Sequence, residues 1–267
     1  MIDFTRLEEV RRQRPLVHCV SNLVTANDCA NLALAVGASP MMAQAPQEMA
    51  DITAISDATV LNTGTPDEEK FRACLLCGQA AEPLHQPVVL DPVGVGASPW
   101  RLERTEALLR GFRPTLLRVN LGEARALTQA AGEEQGVDSP APASHEERLE
   151  AALRLAQSRN TAVLLSGPED IVTDGVRSWR ITGGSDQMTK VTGTGCMLSV
   201  LCGVFAAVEP DAARAAVLAA AFWKVCSRRA EAAAGKQGPG SFRTALMDAA
   251  ALLTPADFAA EAEIQQL

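Results

Sequence analysis

Tyrosine is missing from this chain of 267 residues, and all aromatic residues together make up only 4% of it. Alanine supplies much of the 47% hydrophobic content, which favours closely packed helices over an aromatic-rich β-sandwich. Positive charge is also scarce, because the net charge is −8 at pH 7. That balance argues against a nucleic-acid partner, whose phosphates require a basic face. It is compatible with ATP, because a phosphate site is local and Mg²⁺ carries part of the charge.

Signals for export or membrane insertion are absent as well. The segment from Met1 to Glu9 has no apolar signal region. Residues 191–208 carry no charge, but their apolar part from Gly195 to Val208 is too short to cross a bilayer and fits a buried helix. The 7 cysteines, an odd number placed mostly in apolar runs, favour a reducing compartment over a disulfide framework. We therefore expect a cytoplasmic protein with no membrane partner.

Several nucleotide-binding and metal-binding motifs are missing. No Gly-x-x-x-x-Gly-Lys-Ser/Thr segment exists, which excludes a P-loop enzyme. Gly94-Val95-Gly96 lacks the final glycine of a dinucleotide-binding fingerprint. Cys74 and Cys77 form one Cys-x-x-Cys pair without a second, so we interpret them as core residues. The histidines are too scattered for a zinc site or a Ser-His-Asp arrangement, and they are His18, His85 and His145.

Short apolar runs alternate with longer helical patterns. The runs that predict strands are residues 16–20, 39–43, 58–62, 87–91, 115–119 and 161–165. Asp174-Gly175 predicts a hairpin between two further strands. Continuous apolar strands are typical of a mostly parallel sheet covered on both faces, so we predict a three-layer α/β/α fold. The alternation resumes after the stretch from Gly132 to Ser144, which is interpreted as a mobile loop within one domain of residues 1–267.

Two of the predicted helices have clear limits. Thr25 is predicted to cap a helix that runs through Val36, and Gly37 ends it. A second helix is predicted to begin at Pro46. Its apolar face would carry Met49, Ile52 and Ile55. The C-terminal third is predicted to be almost all helical.

The segment from Thr192 to Cys196 directly precedes the apolar helix. Glycines at a helix entrance let backbone N–H groups approach an anion, and the helix dipole adds partial positive charge there. We interpret Gly193, Thr194, Gly195 and Cys196 as an anion hole for a γ-phosphate that gains charge during transfer. From the residues alone, an ordinary glycine-rich entrance to a core helix is the open alternative.

Cys196 would lie in the first turn of that helix, where the pKa of a thiol is expected to fall. It could then orient or deprotonate an attacking alcohol, and phosphoryl transfer needs only modest base catalysis. The alternative is a small buried cysteine, which is how we interpret Cys202 and Cys226.

Charged residues stand at the ends of two predicted strands. Asp91 ends one strand, and Glu123 lies just after another. Ligands of open α/β sheets gather at the carboxyl ends of strands, so these two carboxylates could hold Mg²⁺ directly or through its waters. Arg118 ends its strand beside them and could reach a phosphate. Two alternatives stay open. Asp91 and Glu123 could each cap a turn or a helix, and Arg118 could be a surface residue at the end of its strand.

Seven short segments in a fixed order carry a family resemblance. They are residues 15–22, 37–42, 61–65, 90–94, 172–175, 188–196 and 238–242. In this order they resemble the hydroxyethylthiazole kinases across nearly the whole chain. The resemblance implies a ribokinase-like fold without a separate lid domain. It also implies Mg²⁺-dependent transfer from ATP to the primary alcohol of 4-methyl-5-(2-hydroxyethyl)thiazole for thiamine biosynthesis or salvage, and a homotrimer with sites between subunits.

The resemblance further implies roles for single residues. The implied contacts are Met42 and Gly193 for the thiazole, Arg118 and Ser166 for ATP, and Asp91 and Glu123 for the metal and its water shell. Cys196 takes the place of an aspartate base in related sugar kinases. The chain departs from the family pattern at residues 119–123, which keep only Asn120 and Glu123 of the usual segment, and at Ser166, where threonine is usual.

Two further functions stay open. One is a kinase for another small alcohol or vitamin, against which cysteine in place of aspartate at position 196 argues. The other is a catalytically inactive nucleotide-binding regulator, against which the retained polar groups argue.

Overall fold

A nine-stranded sheet lies at the centre of the structure, a computed structural model that describes residues 1–130 and 143–267. Most of the predicted mobile loop, residues 132–142, therefore lies outside the described residues. The strands are β1 (Leu16–Val20), β2 (Ser39–Met41), β3 (Ala58–Asn62), β4 (Val88–Asp91), β5 (Leu116–Val119), β6 (Ala162–Leu165), β7 (Asp170–Thr173), β8 (Ser178–Ile181) and β9 (Ile264–Gln266).

The spatial order of the sheet is β2-β1-β3-β4-β5-β6-β7-β8-β9. The pairs from β2 to β6 are parallel, whereas β7, β8 and β9 pair antiparallel. Parallel strands end at a common edge, so the chain segments that follow β1 to β6 meet along one side of the sheet.

Helices cover both faces of this sheet. They are α1 (Arg6–Gln13), α2 (Ala26–Val36), α3 (Met49–Ile55), α4 (Glu68–Ala81), α5 (Pro99–Gly111), α6 (Leu121–Ala130), α7 (His145–Arg159), α8 (Thr194–Ala206), α9 (Ala212–Ala234), α10 (Pro239–Leu252) and α11 (Pro255–Glu261). One buried cluster joins the sheet to α1, α2 and α8–α11, and a second joins it to α3–α7. The predicted three-layer α/β/α arrangement is confirmed.

The limits predicted for α2 agree with the structure. Thr25 occupies the N-cap position and Gly37 the C-cap position, with φ of 110° at Gly37. A Cβ at Gly37 would lie 2.8 Å from Arg11 Cγ, so the close approach of α1 also requires glycine.

Other elements differ from their prediction. Pro46 begins a short 3-10 turn, and the following α3 has only seven residues. Ile55, predicted on the apolar face, is 62% exposed because α3 ends there. The chain also adds β9, which was not predicted, because this edge strand of Ile-Gln-Gln pairs through its backbone and shows no apolar run. The single domain of residues 1–267 stays a prediction.

No helix among the residues that the structure describes is long and apolar enough to cross a membrane.

Candidate active site

Asp91 lies at the centre of the edge where the parallel strands end. Its side chain is fully buried, and Oδ2 accepts hydrogen bonds from Asn62 Nδ2 at 2.9 Å and Ser199 Oγ at 2.6 Å. Oδ1 has no hydrogen-bond partner in the described part of the chain and lies 3.6 Å from Arg118 Nη1. Burial raises the pKa of Asp91 to about 6, although Arg118 opposes this shift.

Glu123 caps the start of α6. Its Oε2 accepts from the backbone N–H of Asn120 at 2.9 Å, and its own backbone N–H donates to Asn120 Oδ1 at 2.9 Å. Its Oε1 accepts from the backbone N–H of Gly94 at 2.9 Å, which ties the loop after β4 to α6. Glu123 therefore makes the contacts of a helix cap, and the same carboxylate also lies close enough to raise the pKa of Asp91. Its role at a metal stays a prediction.

The entrance of α8 faces the same edge. Gly193 is the N-cap residue with φ of 83°, and a Cβ there would lie 2.3 Å from Thr25 Cγ2. A Cβ at Gly195 would lie 2.6 Å from Arg118 Nη2. Gly193 is thus required by its conformation and close packing, whereas a side chain at Gly195 would displace the Arg118 guanidinium. The first-turn N–H groups of α8 have no intrahelical acceptors. This geometry fits the predicted anion hole and places it beside Arg118.

Cys196 lies in the first turn of α8 and is partly exposed. Its Sγ accepts a hydrogen bond from Asn22 Nδ2 at 3.1 Å. The expected fall in its pKa is wrong, because burial raises the pKa of Cys196 and the neighbouring Asp91 carboxylate raises it further. Cys196 is therefore held as a neutral thiol rather than as a ready base. The other described cysteines are buried and free.

Two asparagines that the sequence did not single out link this thiol to Asp91. Asn22 Nδ2 also lies 3.3 Å from Asn62 Oδ1, and Asn62 Nδ2 donates to Asp91. The signal was available, because Asn62 ends β3 and Asn22 follows β1 by two residues. Ser199 was hidden in an apolar helix, four residues after Gly195.

A cavity of about 310 Å³ opens beside the α8 entrance. Its lining includes four predicted site residues, Arg118, Ser166, Thr194 and Gly195. Arg118 Nη2 donates to Ser166 Oγ at 2.6 Å, so the two predicted ATP contacts are joined. The lining also includes Asp170, Gly183, Gly184, Trp223 and Lys224.

The two predicted thiazole contacts are not part of the cavity lining. Neither Met42 nor Gly193 lines the cavity, but Gly193 directly precedes Thr194, which does. Met42 follows the edge strand β2 and is partly buried against the core that contains α2 and α8. The structure therefore assembles Arg118, Ser166 and the α8 entrance around one cavity, whereas Met42 lies next to the edge strand β2.

No group of three or more His, Cys, Asp or Glu side chains converges as a metal-ligand set in the two described ranges. Asp91 and Glu123 form a pair only. Two carboxylates are nevertheless typical of Mg²⁺ sites in which phosphates and water supply the other ligands.

Comparison with known proteins decides the family. A model described as the hydroxyethylthiazole kinase family matches residues 7–256. The chain belongs to the hydroxyethylthiazole kinase family. A curated hydroxyethylthiazole kinase of Listeria monocytogenes serotype 4a (strain HCC23) is 42% identical over 266 residues, covering 100% of this chain and 98% of that protein. A hydroxyethylthiazole kinase of Methanoculleus marisnigri is 42% identical over 260 residues, which cover 97% of this chain and 92% of that protein.

Solved structures agree with this membership of the hydroxyethylthiazole kinase family. The hydroxyethylthiazole kinase from Pyrococcus horikoshii OT3 superposes with a TM-score of 0.90 at 34% identity, over 99% of this chain and 98% of that one. A Staphylococcus aureus pyridoxal kinase in complex with ADP gives a TM-score of 0.63 at 16% identity, over 80% of this chain and 87% of that one. This likeness shows the shared ribokinase-like fold. The chain is therefore a kinase that acts on small molecules, with ATP as co-substrate.

Proposed function

We propose that this kinase transfers the γ-phosphate of ATP to the primary alcohol of 4-methyl-5-(2-hydroxyethyl)thiazole, in thiamine biosynthesis or salvage. The observation that carries the proposal is the meeting of the α8 entrance, Cys196 and Asp91 at one edge of the sheet. The hydrogen-bonded groups around Cys196 and Asp91 would receive the alcohol that accepts the phosphate, next to a site for the phosphates of ATP. Family membership supplies the identity of the acceptor.

The nucleotide belongs in the 310 Å³ cavity in this proposal. Arg118 and Ser166 would contact the phosphates, since the Arg118 guanidinium reaches the cavity and lies against Gly195. The first-turn N–H groups of residues 193–196 would stabilise the charge that develops on the γ-phosphate. In this pose the terminal phosphate would lie at the α8 entrance, because Thr194 and Gly195 line the cavity.

The alcohol would lie against Cys196, with Met42 and Gly193 beside the thiazole ring. Its oxygen forms a bond to the γ-phosphorus while the bond from that phosphorus to the β–γ bridging oxygen breaks, and ADP leaves. Because burial raises the pKa of Cys196, the thiol would orient the hydroxyl group through a hydrogen bond and would not remove its proton early. The proton would leave late, to an oxygen of the transferred phosphoryl group and from there to solvent. Little base catalysis is required when the transition state is loose.

Asp91 and Glu123 would hold Mg²⁺ directly or through its waters. The fit rests on Asp91 Oδ1, a buried carboxylate oxygen without a hydrogen-bond partner among the described residues, and on the nearby Glu123 carboxylate. When bound, Mg²⁺ supplies positive charge to the phosphates of ATP.

We also propose a homotrimer with sites between subunits, because Met42 follows the edge strand β2 and does not line the cavity that contains Arg118 and Ser166. A second chain could complete the acceptor side. The free state of the described cysteines supports a cytoplasmic location.

The test is ATP consumption by the purified, folded chain with Mg²⁺, measured with and without hydroxyethylthiazole. Mass spectrometry should then detect the phosphorylated ring. No phosphate gain on the ring would reject the proposal. Turnover of a pyridoxine-like ring or a sugar would instead support another small-alcohol kinase, and ATP binding without turnover on any alcohol would support a regulator.

A further inference from the structure

Lys70 is a buried cation that the proposed reaction does not use. It lies in the first turn of α4 and is only 6% exposed. Its Nζ donates to the backbone carbonyls of Ser21 and Gly64, both at 2.8 Å, and lies 3.4 Å from Thr65 Oγ1. The three donors of the ammonium group are therefore all used on two loops of the site.

None of these three acceptors is a carboxylate, and no other Lys70 acceptor occurs in the described ranges. A buried ammonium group without a paired anion is costly, and burial lowers the pKa of Lys70. Simple packing would be served as well by an apolar side chain. The cost points to a task for these hydrogen bonds.

The two loops that Lys70 joins carry the asparagines of the site. Ser21 precedes Asn22, whose amide donates to Cys196. Gly64 follows Asn62, and its backbone N–H donates to Asn62 Oδ1 at 2.9 Å. A Cβ at Gly64 would lie 2.8 Å from Asn22 Nδ2, so the two loops that Lys70 joins are in close contact with each other.

The β3 loop is also strained where Lys70 holds it. Thr65 has φ of 45°, in the left-handed region that β-branched residues avoid. Such a conformation persists only when its surroundings determine it. Lys70 supplies two of those contacts, to Gly64 and Thr65. The backbone N–H of Leu23 supplies the third, because it donates to Thr65 Oγ1 at 3.1 Å.

We infer that Lys70 is a positioning residue that locks the loops after β1 and β3 together, so that Asn22 and Asn62 hold Cys196 and Asp91 for the acceptor alcohol. The inference rests on the proposed function. Lys70 itself touches neither substrate in this scheme. Substitution of Lys70 should therefore impair the binding and turnover of the alcohol and leave the binding of ATP unchanged.

Lys224 offers a matched comparison on the nucleotide side. It lies in α9 and lines the cavity, and its Nζ donates to the carbonyls of Gly167 at 3.0 Å and Pro168 at 2.8 Å. It thus ties down the loop after β6 much as Lys70 ties down the loops after β1 and β3. Loss of each lysine should disturb a different substrate.

The experiment compares steady-state kinetics of Lys70→Met and Lys224→Met with both substrates varied. Methionine is unbranched and only one atom shorter than lysine, and it removes the donors. We expect Lys70→Met to lower kcat at least about tenfold and to raise KM for the alcohol, with KM for ATP within about twofold. Lys224→Met should raise KM for ATP and leave KM for the alcohol within about twofold.

Two controls separate positioning from loss of stability. Lys70→Arg keeps the charge and donors and should recover part of the lost kcat. Leu108→Ala creates a cavity near the C-terminal end of α5 and should lower the melting temperature without changing either KM.

Unchanged alcohol kinetics in folded Lys70→Met would overturn the inference, as would an equal rise in both KM values. Failure of the wild-type chain to phosphorylate the thiazole is a different result, because it would reject the proposed function. If Lys70→Met does not fold, Lys70→Arg and Lys70→Gln carry the same comparison.

Discussion

At the scale of single residues, Asp91 shows a conflict between stability and function. Its carboxylate is fully buried, and one of its oxygens lacks a hydrogen-bond partner in the described ranges. A group in that position favours protonation in the folded chain. The folded state therefore carries a cost that ATP and a cation would relieve on binding.

Asp91→Asn is expected to stabilise the ligand-free chain while abolishing turnover. The folded pKa of about 6 exceeds the ordinary aspartate value of 3.8, so the native state binds more protons than the unfolded state between these values. The Asp91 contribution to the free energy of unfolding thus falls as pH rises from about 4 to about 6. At pH 7 the variant should gain about 1–3 kcal/mol.

Urea denaturation of both chains without ATP, at pH 4.5 and pH 7, measures this difference. The gain should be largest at pH 7 and small at the lower pH. A loss of stability at pH 7 would show that the interaction of Asp91 with Arg118 outweighs the burial of the carboxylate.

Cys196→Ala should slow the reaction more than it weakens nucleotide binding. A thiol that orients the alcohol acts on the acceptor, so kcat should fall about tenfold while the Kd for ATP changes less than about twofold. Cys196→Ser keeps a hydrogen-bonding group and should retain more activity. Steady-state assays and calorimetric titration give the two quantities. An unchanged kcat in the alanine variant would remove the thiol from the mechanism.

The sequence predicted which residues stand at the strand ends, but not how they are solvated. Asp91 and Glu123 could be selected because each follows an apolar run. The pKa of Cys196 could not be predicted. The sequence shows only the helix dipole, which lowers the pKa, whereas burial by residues distant in the chain raises it and has the larger effect. Lys70 was missed for the same reason, because its carbonyl partners are fixed only by tertiary packing.

At the scale of secondary structure, the entrance of α8 depends on two glycines for different reasons. Gly193 needs a left-handed conformation, whereas Gly195 needs only room for the Arg118 guanidinium. The second requirement gives a clean test, because alanine is otherwise favourable inside a helix.

Gly195→Ala is expected to raise KM for ATP about tenfold by displacing Arg118, with little loss of stability. Gly240→Ala in α10 is the matched control, because a Cβ there meets no side chain within 4 Å among the described residues beyond its chain neighbours. It should gain about 1 kcal/mol of stability with kinetics unchanged. Kinetic assays and thermal unfolding of both variants provide the measurement. An unchanged KM in Gly195→Ala would separate Arg118 from the nucleotide.

Elements with a continuous apolar pattern were predicted well. β1 and β3 have the predicted limits because turn residues bound each buried run. β9 could not be predicted in this way, since an edge strand needs only backbone pairing and its side chains are mostly exposed. The end of α3 was also not predicted, because the apolar period continues through Ile55 although the helix stops there.

At the scale of the whole molecule, two large apolar side chains lie exposed beside the site. Leu23 is 73% exposed and Val24 is 63% exposed, directly after Asn22. Exposed apolar groups next to a functional site are typical of a surface that another chain covers. This placement supports the proposed trimer.

Sedimentation equilibrium should therefore give three times the 28.2 kDa mass of one chain. Leu23→Asp should shift the distribution towards monomer and reduce activity, because burial of a charge in an interface is unfavourable. Val176→Asp is the control, since Val176 is 91% exposed in the β7–β8 turn. A monomeric wild-type chain with full activity would contradict the shared site.

The hydrogen bond from Asn22 to Cys196 spans 174 positions of sequence, and that from Ser199 to Asp91 spans 108. No contiguous fragment shorter than these spans contains the reacting groups, and closing such long loops is slow. During refolding, recovery of turnover should therefore lag behind the far-ultraviolet signal of the helices. An enzymatic assay started at intervals after dilution from urea would time the last event in assembly of the chain.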